Sequence, residues 1–332
     1  MEPYLYLSGL KRLAGEISGI EVVHVGIRPY GFHAGNAMAL VVYPYLLCKL
    51  LEESGKKPRL TFVVSINDWE QDALDGPDYR KYPFNIYPKN TSLQFTPDEN
   101  GCCSSVTDHW QPIIEENLNK LKRRFPEVSF IFVRNSELIS HKYCQELLAE
   151  TIKNPNDQLK ILKEYSGKET LESPVSFAGV VCPQCRKSHG KTSVAEDGFI
   201  EWQCAKCDEK RKSEIQNFQY WWYHKPMLIA RINIFKIDIT LSGGDHFSEG
   251  DFKIREAFIQ KYSPETKEPK MVFTPTVIAL NGEKMSKSRN NTTFADMEKL
   301  ILAAANFDER DFYITQDLVS DKIDEKDYSS VL

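Results

Sequence analysis

The chain has 332 residues, 27% charged side chains and a formal net charge of −5, which are ordinary values for a globular protein. This charge gives no overall attraction to nucleic acid, so any such binding has to come from a local basic patch. The sequence has no apolar run of the ~20 residues that a membrane-spanning helix needs, and its first residues lack the basic-then-apolar order of a secretion signal.

The first half of the chain alternates strand patterns with helix patterns. Runs of β-branched and apolar residues predict buried strands at 20–27, 60–66 and 128–133. Helical spacing of apolar residues separates them, at about 34–53 and 111–125. Strands that alternate with helices are typical of a parallel, doubly wound α/β sheet, which is the predicted fold class.

The second half is predicted to interrupt this sheet and then to continue it. Residues 67–108 are rich in Pro, Asn, Asp and Gly and are interpreted as a long functional loop, and 138–166 read as helical. Strand patterns return at 236–241 and 271–280. We therefore expect four segments, which are the first half of a Rossmann-like catalytic domain (1–170), a zinc-binding insertion (171–215), the second half of the catalytic domain (216–295) and a short helical tail (296–332).

Four of the eight cysteines form two C-x-x-C pairs, "CPQC" and "CAKC", separated by residues 186–203. Two such pairs place four thiolates where one Zn²⁺ takes all of them tetrahedrally, as in a structural zinc ribbon. The predicted zinc ligands are Cys182, Cys185, Cys204 and Cys207. The alternative is four unrelated reduced cysteines. The other four cysteines are scattered, which indicates a reducing compartment, and the cytoplasm is the expected location.

The stretch "GIRPYGFHAGNA", residues 26–37, leaves a strand, turns and enters a helix. This order points the free N–H groups at the start of the helix toward whatever lies above the strand, and such groups favour phosphate. Gly31 and Gly35 let a nucleotide approach the backbone. His33 and Asn36 lie one helical turn apart and reach the same bound group. The alternative is an ordinary strand-to-helix corner.

The stretch "ALNGEKMSKSRNN", residues 279–291, is a basic turn that follows the Asn281-Gly282 dipeptide. If it folds over a triphosphate, Lys284 and Lys287 meet the charge that develops on departing pyrophosphate, and the neighbouring serines add hydrogen bonds. Taken alone, the run also fits a solvated surface turn.

"HAGN" with "KMSKS" downstream resembles the signature pair of class I aminoacyl-tRNA synthetases, and "GGDHF" (243–247) resembles their G-x-D-x nucleotide-binding element. Together with "DENGCCSSVTDHW", the cysteine pairs and the tryptophan-rich "QYWWYHKP", these motifs occur in the order typical of class I lysyl-tRNA synthetases. The resemblance spans roughly residues 20–295. It implies a Rossmann-like fold, shared with nucleotidylyltransferases, that activates an amino acid with ATP and Mg²⁺ and transfers it to tRNA.

The resemblance also implies roles for individual residues. His33, Asn36, Lys284 and Lys287 are the implied catalytic residues, which contact the phosphates and the transition state of adenylate formation. Asp245 is implied to bind the ribose. The remaining residues of the expected ATP site are Gly31, Gly35, Gly243, Gly244, His246, Met285, Ser286 and Ser288.

The sequence departs from the lysyl-type pattern at the expected amino-acid pocket. The turn before the first motif carries Arg28 and bulk, the acidic stretch after the second strand is reduced to Asp68 and Glu70, and His224 replaces an aspartate. A lysine ammonium requires carboxylate partners. The candidate substrate-binding residues are Arg28, Asp68, Glu70, Trp222 and His224, and the expected substrate is lysine or a related amino acid.

Only about 44 residues follow Ser288, too few for the helical anticodon-binding domain of the lysyl type. The chain is therefore either the catalytic part of a longer tRNA-charging enzyme or one of three alternatives to such an enzyme. One is a freestanding paralogue that transfers the amino acid to a carrier protein or small molecule. The second is a nucleotidylyltransferase, and the third is an inactive nucleotide- or RNA-binding regulatory paralogue.

Overall fold

The computed structural model describes residues 2–29, 33–69, 91–98, 101–153, 155–166, 178–187, 190–194, 199–214, 220–223, 226–248, 251–285 and 291–320. The strands are β1 Tyr4–Leu5, β2 Glu21–Ile27, β3 Leu60–Ile66, β4 Ser129–Arg134, β5 Ala178–Val180, β6 Gly190–Val194, β7 Ile200–Cys204, β8 Lys210–Ser213, β9 Tyr220–Tyr223, β10 Ile239–Ser242, β11 Lys270–Phe273, β12 Thr276–Ile278, β13 Phe294–Ala295, β14 Asp311–Tyr313 and β15 Val319–Ser320. The helices are α1 Tyr6–Glu16, α2 Ala34–Ala37, α3 Tyr43–Glu53, α4 Val106–Arg124, α5 Asn135–Leu138, α6 Lys142–Lys153, α7 Pro155–Ser166, α8 Pro226–Phe235, α9 Gly244–Ser248, α10 Asp251–Tyr262 and α11 Met297–Ala304.

Among the described residues, six strands form one sheet in the order β1-β11-β10-β2-β3-β4. Every neighbouring pair in it is parallel, which confirms the predicted α/β fold with a parallel sheet. From β2 the chain proceeds outward through β3 and β4, and it later returns on the other side of β2 as β10 and β11. The direction of winding therefore changes between β2 and β10, and ligands of doubly wound folds bind outside the carboxyl ends of strands at such a point.

Apolar side chains cover both faces of this sheet. One core cluster includes Leu10 of α1, Leu47 of α3 and Leu118 of α4. A second cluster includes Leu148 of α6 and Ile229 of α8. Helices on both faces bury the central strands of this parallel sheet, which is why those strands read as apolar runs, whereas Ile131 on the edge strand β4 is 42% exposed.

The most apolar part of the chain lies inside the first cluster. The expectation that no apolar run reaches membrane-spanning length is wrong for Ala34–Glu53, which is long and apolar enough by length and composition. However, 72% of its most apolar window is buried in the protein. Its course changes at a π-helical turn, Met38–Val42, directly before Pro44 at the start of α3. Because proline has no N–H to donate and is tolerated in a first turn, this is where a proline fits. The apolar character of this segment is thus explained by the core.

Two predicted elements differ from the structure. The single strand expected at 271–280 is wrong, since β11 ends at Phe273 and β12 begins at Thr276 in a different, two-stranded sheet with β14. Pro275 cannot donate a ladder hydrogen bond, so the chain leaves one sheet and joins another there. The strand expected at 236–241 begins three residues later, as β10 at Ile239, whereas the helical region expected at 138–166 is confirmed by α6 and α7.

Helix α1, which no sequence pattern predicted, is closed at its carboxyl end by a side chain from elsewhere. Lys56 Nζ donates to three carbonyl oxygens, those of Ala14 (2.9 Å), Gly15 (2.7 Å) and Ile17 (2.7 Å). The last carbonyls of a helix have no partner within the helix and carry partial negative charge, so an ammonium stabilises them.

Replacement of Lys56 with methionine keeps the aliphatic stem and removes the three charged hydrogen bonds. We expect the free energy of unfolding to fall by about 1–3 kcal/mol, measured by urea denaturation. Lys57→Met is the matched control, because the Lys57 side chain is 71% exposed and, within the described residues, forms an ion pair only with Glu127. The loss of unfolding free energy in this control should stay below about 0.5 kcal/mol. Equal effects of the two variants would contradict the role assigned to Lys56.

Candidate active site and cysteine clusters

A cavity of about 180 Å³ opens at the carboxyl ends of β2 and β10, where the direction of winding changes. Four segments line it, one after β2, one after β10, one after β12, and a fourth between β11 and β12 that continues into β12. Its lining residues are Gly26, His33, Gly35, Asn36, Ala39, Gly243, Gly244, Asp245, His246, Thr274, Pro275, Thr276, Val277, Lys284 and Met285.

The segment after β2 contributes His33 and Asn36. His33 has extended backbone angles (φ −73°, ψ 161°) and caps α2, with its Nδ1 accepting from the backbone N–H of Asn36 at 3.4 Å. The ring lies against Gly35, since a Cβ at residue 35 would stand 3.1 Å from the His33 ring. Glycine at this position therefore keeps the histidine ring in place beside the cavity.

The segment after β10 approaches the neighbouring backbone very closely. A Cβ on Gly244 would lie 2.4 Å from the carbonyl oxygen of Thr274 and 2.9 Å from the backbone nitrogen of Thr276. A Cβ on Gly243 would lie 2.6 Å from Oδ1 of Asp245. The close approach to the backbone of Thr274 and Thr276 requires glycine at residue 244, and this geometry sets Asp245 in the first turn of α9 at the wall of the cavity.

The third segment is the beginning of the lysine-rich loop. Lys284 forms an isolated bridge with Ile278, and Met285 N–H donates to the carbonyl of Val277 at 2.8 Å. Lys284 Nζ contacts Asp245 Oδ2 at 2.8 Å. Farther along, Asn291 Nδ2 donates to the Lys284 carbonyl at 3.0 Å. These contacts hold Lys284 beside the segment after β10.

The first and third segments also contact each other. The backbone N–H of Ala34 donates to the carbonyl of Thr293 at 2.9 Å. Met285 Sδ lies 3.9 Å from the position that a Cβ on Gly35 would take. "HAGN" and the beginning and end of the lysine-rich stretch are therefore packed together at one wall.

The electrostatic environment of the cavity favours a charged Asp245. Burial raises the pKa of this carboxyl, but the charges of His246 and Lys284 and the hydrogen bond from Lys284 outweigh burial, so its pKa lies below the usual value. The carboxylate is thus ionised at neutral pH and able to accept hydrogen bonds from a diol.

A buried polar chain lies behind Gly26. Ser65 Oγ stands 3.4 Å from where a Cβ on Gly26 would be, and it contacts Nε2 of His24 at 2.9 Å. Arg231 Nη1 contacts the same His24 nitrogen at 2.6 Å. Burial and then the charge of Arg231 lower the pKa of His24 well below its ordinary value. His24 is therefore neutral at neutral pH and serves as a hydrogen-bonding group.

The described part of the chain brings together nine of the residues predicted for the nucleotide site, which are His33, Gly35, Asn36, Gly243, Gly244, Asp245, His246, Lys284 and Met285. The predicted residues Gly31, Ser286, Lys287 and Ser288 lie outside the described residues. Sequence reasoning missed Thr274, Pro275 and Thr276. Their signal was available, since Pro275 falls inside the strand predicted at 271–280, and a proline there argues against a continuous central strand.

Of the predicted substrate-binding residues whose side chains the structure describes, Arg28 and Asp68 do not line this cavity. Arg28 is exposed. Asp68 is completely buried; its Oδ1 accepts from the backbone N–H of Ser136 at 2.9 Å, its Oδ2 accepts from the Ser136 hydroxyl, and burial raises the pKa of the carboxyl. Trp222 belongs to β9, whereas Glu70 and His224 lie outside the described residues.

The four cysteines of the two C-x-x-C pairs converge. Their sulfur atoms all lie within 4.8 Å of one another. Cys182 Sγ is 3.6 Å from Cys207 Sγ, and Cys185 Sγ is 3.7 Å from Cys204 Sγ. Tetrahedral Zn²⁺ with Zn–S bonds near 2.3 Å separates its sulfur ligands by about 3.8 Å. The spacing of the sulfur atoms therefore fits a zinc ion.

The backbone around these cysteines has the same turn twice. The residue after the second cysteine of each pair has positive φ, 56° at both Arg186 and Asp208. Backbone N–H groups point at the first cysteine of each pair, from Cys185 to Cys182 Sγ (3.5 Å) and from Lys206 to Cys204 Sγ (3.4 Å). Burial raises the pKa of Cys204, but the N–H groups of Cys207 and Lys206 outweigh it and lower the pKa to about 7. Such an environment suits a thiolate ligand.

A second group, not foreseen from the sequence, lies in the "DENGCCSSVTDHW" stretch. Asp98, Cys102, Cys103 and His109 each offer a ligand atom within 4.8 Å of the others. Cys102 Sγ lies 3.1 Å from His109 Nδ1, which lies 3.5 Å from Asp98 Oδ1. The sequence gives these adjacent cysteines no metal-site signal, because Asp98 stands four residues before Cys102 and His109 six residues after Cys103, which is no standard ligand spacing. Thiolate, imidazole and carboxylate are all zinc ligands.

The first cysteine turn packs against the segment that leads to this second group. Lys187 pairs with Thr91 in an isolated antiparallel bridge, and its Nζ donates to Thr91 Oγ1 at 2.6 Å. The Arg186 guanidinium lies 5.3 Å from the centre of the Phe95 ring. The two cysteine-containing groups are thus joined by residues 91–98.

Comparison with known proteins agrees with the geometry of the cavity. Two curated relatives are lysine–tRNA ligases. The one from Thermococcus kodakarensis is 27% identical over 243 residues, which are 69% of this chain and 42% of that protein. The one from Pyrococcus furiosus is 26% identical over 291 residues, or 81% of this chain and 50% of that protein. The chain therefore spans half the length or less of these relatives.

Among solved structures, the tyrosyl-tRNA synthetase of Archaeoglobus fulgidus, complexed with L-tyrosine, is 15% identical with a TM-score of 0.41, covering 86% of this chain and 64% of that chain. This similarity is too low to inform the site. The family described as tRNA synthetases class I (K) matches residues 10–304, which is most of the chain. The protein therefore belongs to the class I (K) family of tRNA synthetases.

Proposed function

We propose that the protein activates an amino acid with ATP. The carboxylate of the amino acid attacks the α-phosphate, pyrophosphate leaves, and an aminoacyl-adenylate forms. The observation that supports this reaction best is the single cavity that joins His33 and Asn36 with Asp245 and Lys284 at the point where the winding changes. The reaction needs no protein nucleophile, since it depends on positioning and charge stabilisation.

In this proposal the two ends of ATP are bound by different walls of the cavity. The ribose hydroxyls donate to the ionised Asp245, and Gly243 and Gly244 leave room for the nucleoside. His33, Asn36 and Lys284 contact the phosphates, and Mg²⁺ arrives with ATP. Further contacts to ATP are proposed from sequence position alone, for Gly31, Ser286, Lys287 and Ser288. In particular, the Lys287 ammonium contacts the departing pyrophosphate.

Lysine is the proposed amino acid and tRNA the proposed acceptor. The lysine–tRNA ligases among the relatives and the family match support both proposals. Asp68 does not support lysine as the substrate, because both oxygens of its carboxylate already accept hydrogen bonds from Ser136. Glu70, Arg28, Trp222 and His224 remain the other proposed contacts of the amino acid. The cytoplasm is the proposed location.

ATP–pyrophosphate exchange with each amino acid offered singly tests this function. Exchange with lysine above that with the other amino acids is the expected result, and charging of tRNA in the same preparation then tests the acceptor. Exchange without charging would favour the freestanding paralogue that uses another acceptor. Absence of exchange with every amino acid, in protein replete with zinc, would refute amino-acid activation.

We propose that both cysteine-containing groups bind structural Zn²⁺, one in the ribbon within the proposed insertion (171–215) and one at Asp98, Cys102, Cys103 and His109. The ribbon interrupts the proposed catalytic domain between segments 1–170 and 216–295, and 296–332 follows as the tail. Within 296–332 the structure describes α11 and also the short strands β14 and β15. With four protein ligands each, neither group has an open position for catalysis.

Metal analysis of the purified protein should find two equivalents of zinc. Cys204→Ser is expected to remove one, Cys102→Ser the other, and the control Cys48→Ala neither, because Cys48 is buried in the first core cluster. Chelation should increase proteolysis within 182–213 before the sheet unfolds, since metal binding contributes to folding. A zinc content unchanged by Cys204→Ser would contradict the ribbon assignment.

A further inference from the structure

The contact between Lys284 and Asp245 links two groups that ATP would need separately. Lys284 Nζ and Asp245 Oδ2 are 2.8 Å apart, with the two side chains 37% and 32% exposed. If the proposed function holds, Asp245 accepts from the ribose and Lys284 contacts the phosphates. Each of these contacts competes with the ion pair between them.

The second oxygen of Asp245 does not relieve this competition. Oδ1 lies against Gly243, because a Cβ there would come within 2.6 Å of it. A ribose diol that donates to both carboxylate oxygens therefore still needs Oδ2, the oxygen that Lys284 contacts. The two side chains line the same cavity, so a ribose that hydrogen-bonds to Asp245 lies beside Lys284.

The backbone on both sides of the pair is fixed, so the pair opens by side-chain movement. Lys284 is held by its bridge with Ile278 and by the Asn291 side chain at 3.0 Å from its carbonyl oxygen. Asp245 stands in the first turn of α9, behind the close approach of Gly244 to Thr274. The long, partly exposed lysine side chain is the element with room to rotate.

We propose that Lys284, through its ion pair with Asp245, makes the cavity discriminate ATP from nucleosides that lack phosphate. This inference rests on the proposed function. When adenosine binds, its ribose replaces Lys284 as the partner of Asp245, and the lysine ammonium gains no new partner. When ATP binds, its ribose likewise replaces Lys284 at Asp245, but the released ammonium then contacts the phosphate oxygens. The pair therefore opposes binding of adenosine and is compensated when ATP binds.

The test compares dissociation constants of adenosine and ATP for the wild type, Lys284→Met and Lys284→Arg, by isothermal titration calorimetry. Methionine keeps the stem and removes the charge, and arginine keeps the ion pair. Lys284→Met should bind adenosine about two- to fivefold more tightly than the wild type, the range expected for a partly exposed ion pair, and should bind ATP more weakly. Lys284→Arg should bind adenosine as the wild type does.

A second measurement needs no variant. Raising the salt concentration from about 0.05 M to 0.5 M screens the ion pair, so adenosine binding to the wild type should strengthen while ATP binding weakens. Unchanged or weaker adenosine binding by Lys284→Met, with ATP still bound by the wild type, would overturn the inference and leave the proposed function intact. Failure of the wild type to bind ATP would overturn both.

Discussion

Replacement of His33 with asparagine is expected to lower the rate of ATP–pyrophosphate exchange by about 10²- to 10³-fold, the loss typical when one group that stabilises transition-state charge is removed. Asparagine accepts the hydrogen bond from the Asn36 N–H that His33 Nδ1 now accepts, so the cap of α2 is kept. Its shorter side chain does not reach the phosphates. The loss should appear in kcat, with KM for ATP little changed.

His33→Ala separates capping from catalysis. Alanine removes both the cap and the imidazole, so this variant should lose the same activity and also about 1 kcal/mol of stability, whereas His33→Asn should unfold at the wild-type temperature. Wild-type exchange by His33→Asn would show that the imidazole acts only as a cap. Equal melting temperatures of the two variants would contradict the capping role.

Gly244→Ala should have the largest effect on the structure of the site. The added Cβ would stand 2.4 Å from the Thr274 carbonyl oxygen and 2.9 Å from the Thr276 nitrogen. Thr274 lies between β11 and β12, and Thr276 is the first residue of β12. Their backbone atoms cannot move away as a flexible side chain does. We expect the free energy of unfolding to fall by about 1–3 kcal/mol and ATP binding to be lost, because Asp245 is displaced with α9.

Gly15→Ala is the matched control for this substitution. Gly15 lies in α1, and a Cβ there meets no atom within 4 Å. Alanine is the better helix former, so this variant should be neutral or slightly more stable. Thermal unfolding and ATP titration of both variants check the prediction. A Gly244→Ala protein with wild-type stability and ATP affinity would show that the segment after β10 relaxes without cost.

Most strands of the sheet were predictable from the sequence, among them the edge strand β4, whereas the other edge strand, β1, was not. β2 and β3 lie where the apolar runs placed them, because buried parallel strands are apolar on both faces. β1 has only two residues, Tyr4 and Leu5, and no periodicity can identify so short a strand. The break at Pro275 was visible in the sequence, but the partner strand β14 that receives the chain is set by tertiary structure.

The site was predictable wherever chemistry and spacing were local. "HAGN" and "GGDH" follow β2 and β10 at the same edge of the six-stranded sheet, the first lysine of the loop follows β12 of a two-stranded sheet, and the cavity contains residues of all three. The Asp98 group was not recognised, since two adjacent cysteines give no metal-ligand spacing until α4 brings His109 beside them. The burial of Asp68 was likewise unforeseen, because its partner Ser136 lies beyond the next strand of the sheet.

The pairing of β1 with β11 has a consequence for the order in which the protein forms during synthesis. Tyr4 pairs with Val272, so at about 5–20 residues per second the first strand waits tens of seconds for its partner to be made. Helix α1 packs against α3, which is made early, and is not delayed in this way. Thr274, which lines the cavity, directly follows β11. The strand that pairs with β1 and the wall of the nucleotide pocket formed by Thr274 are therefore synthesised together.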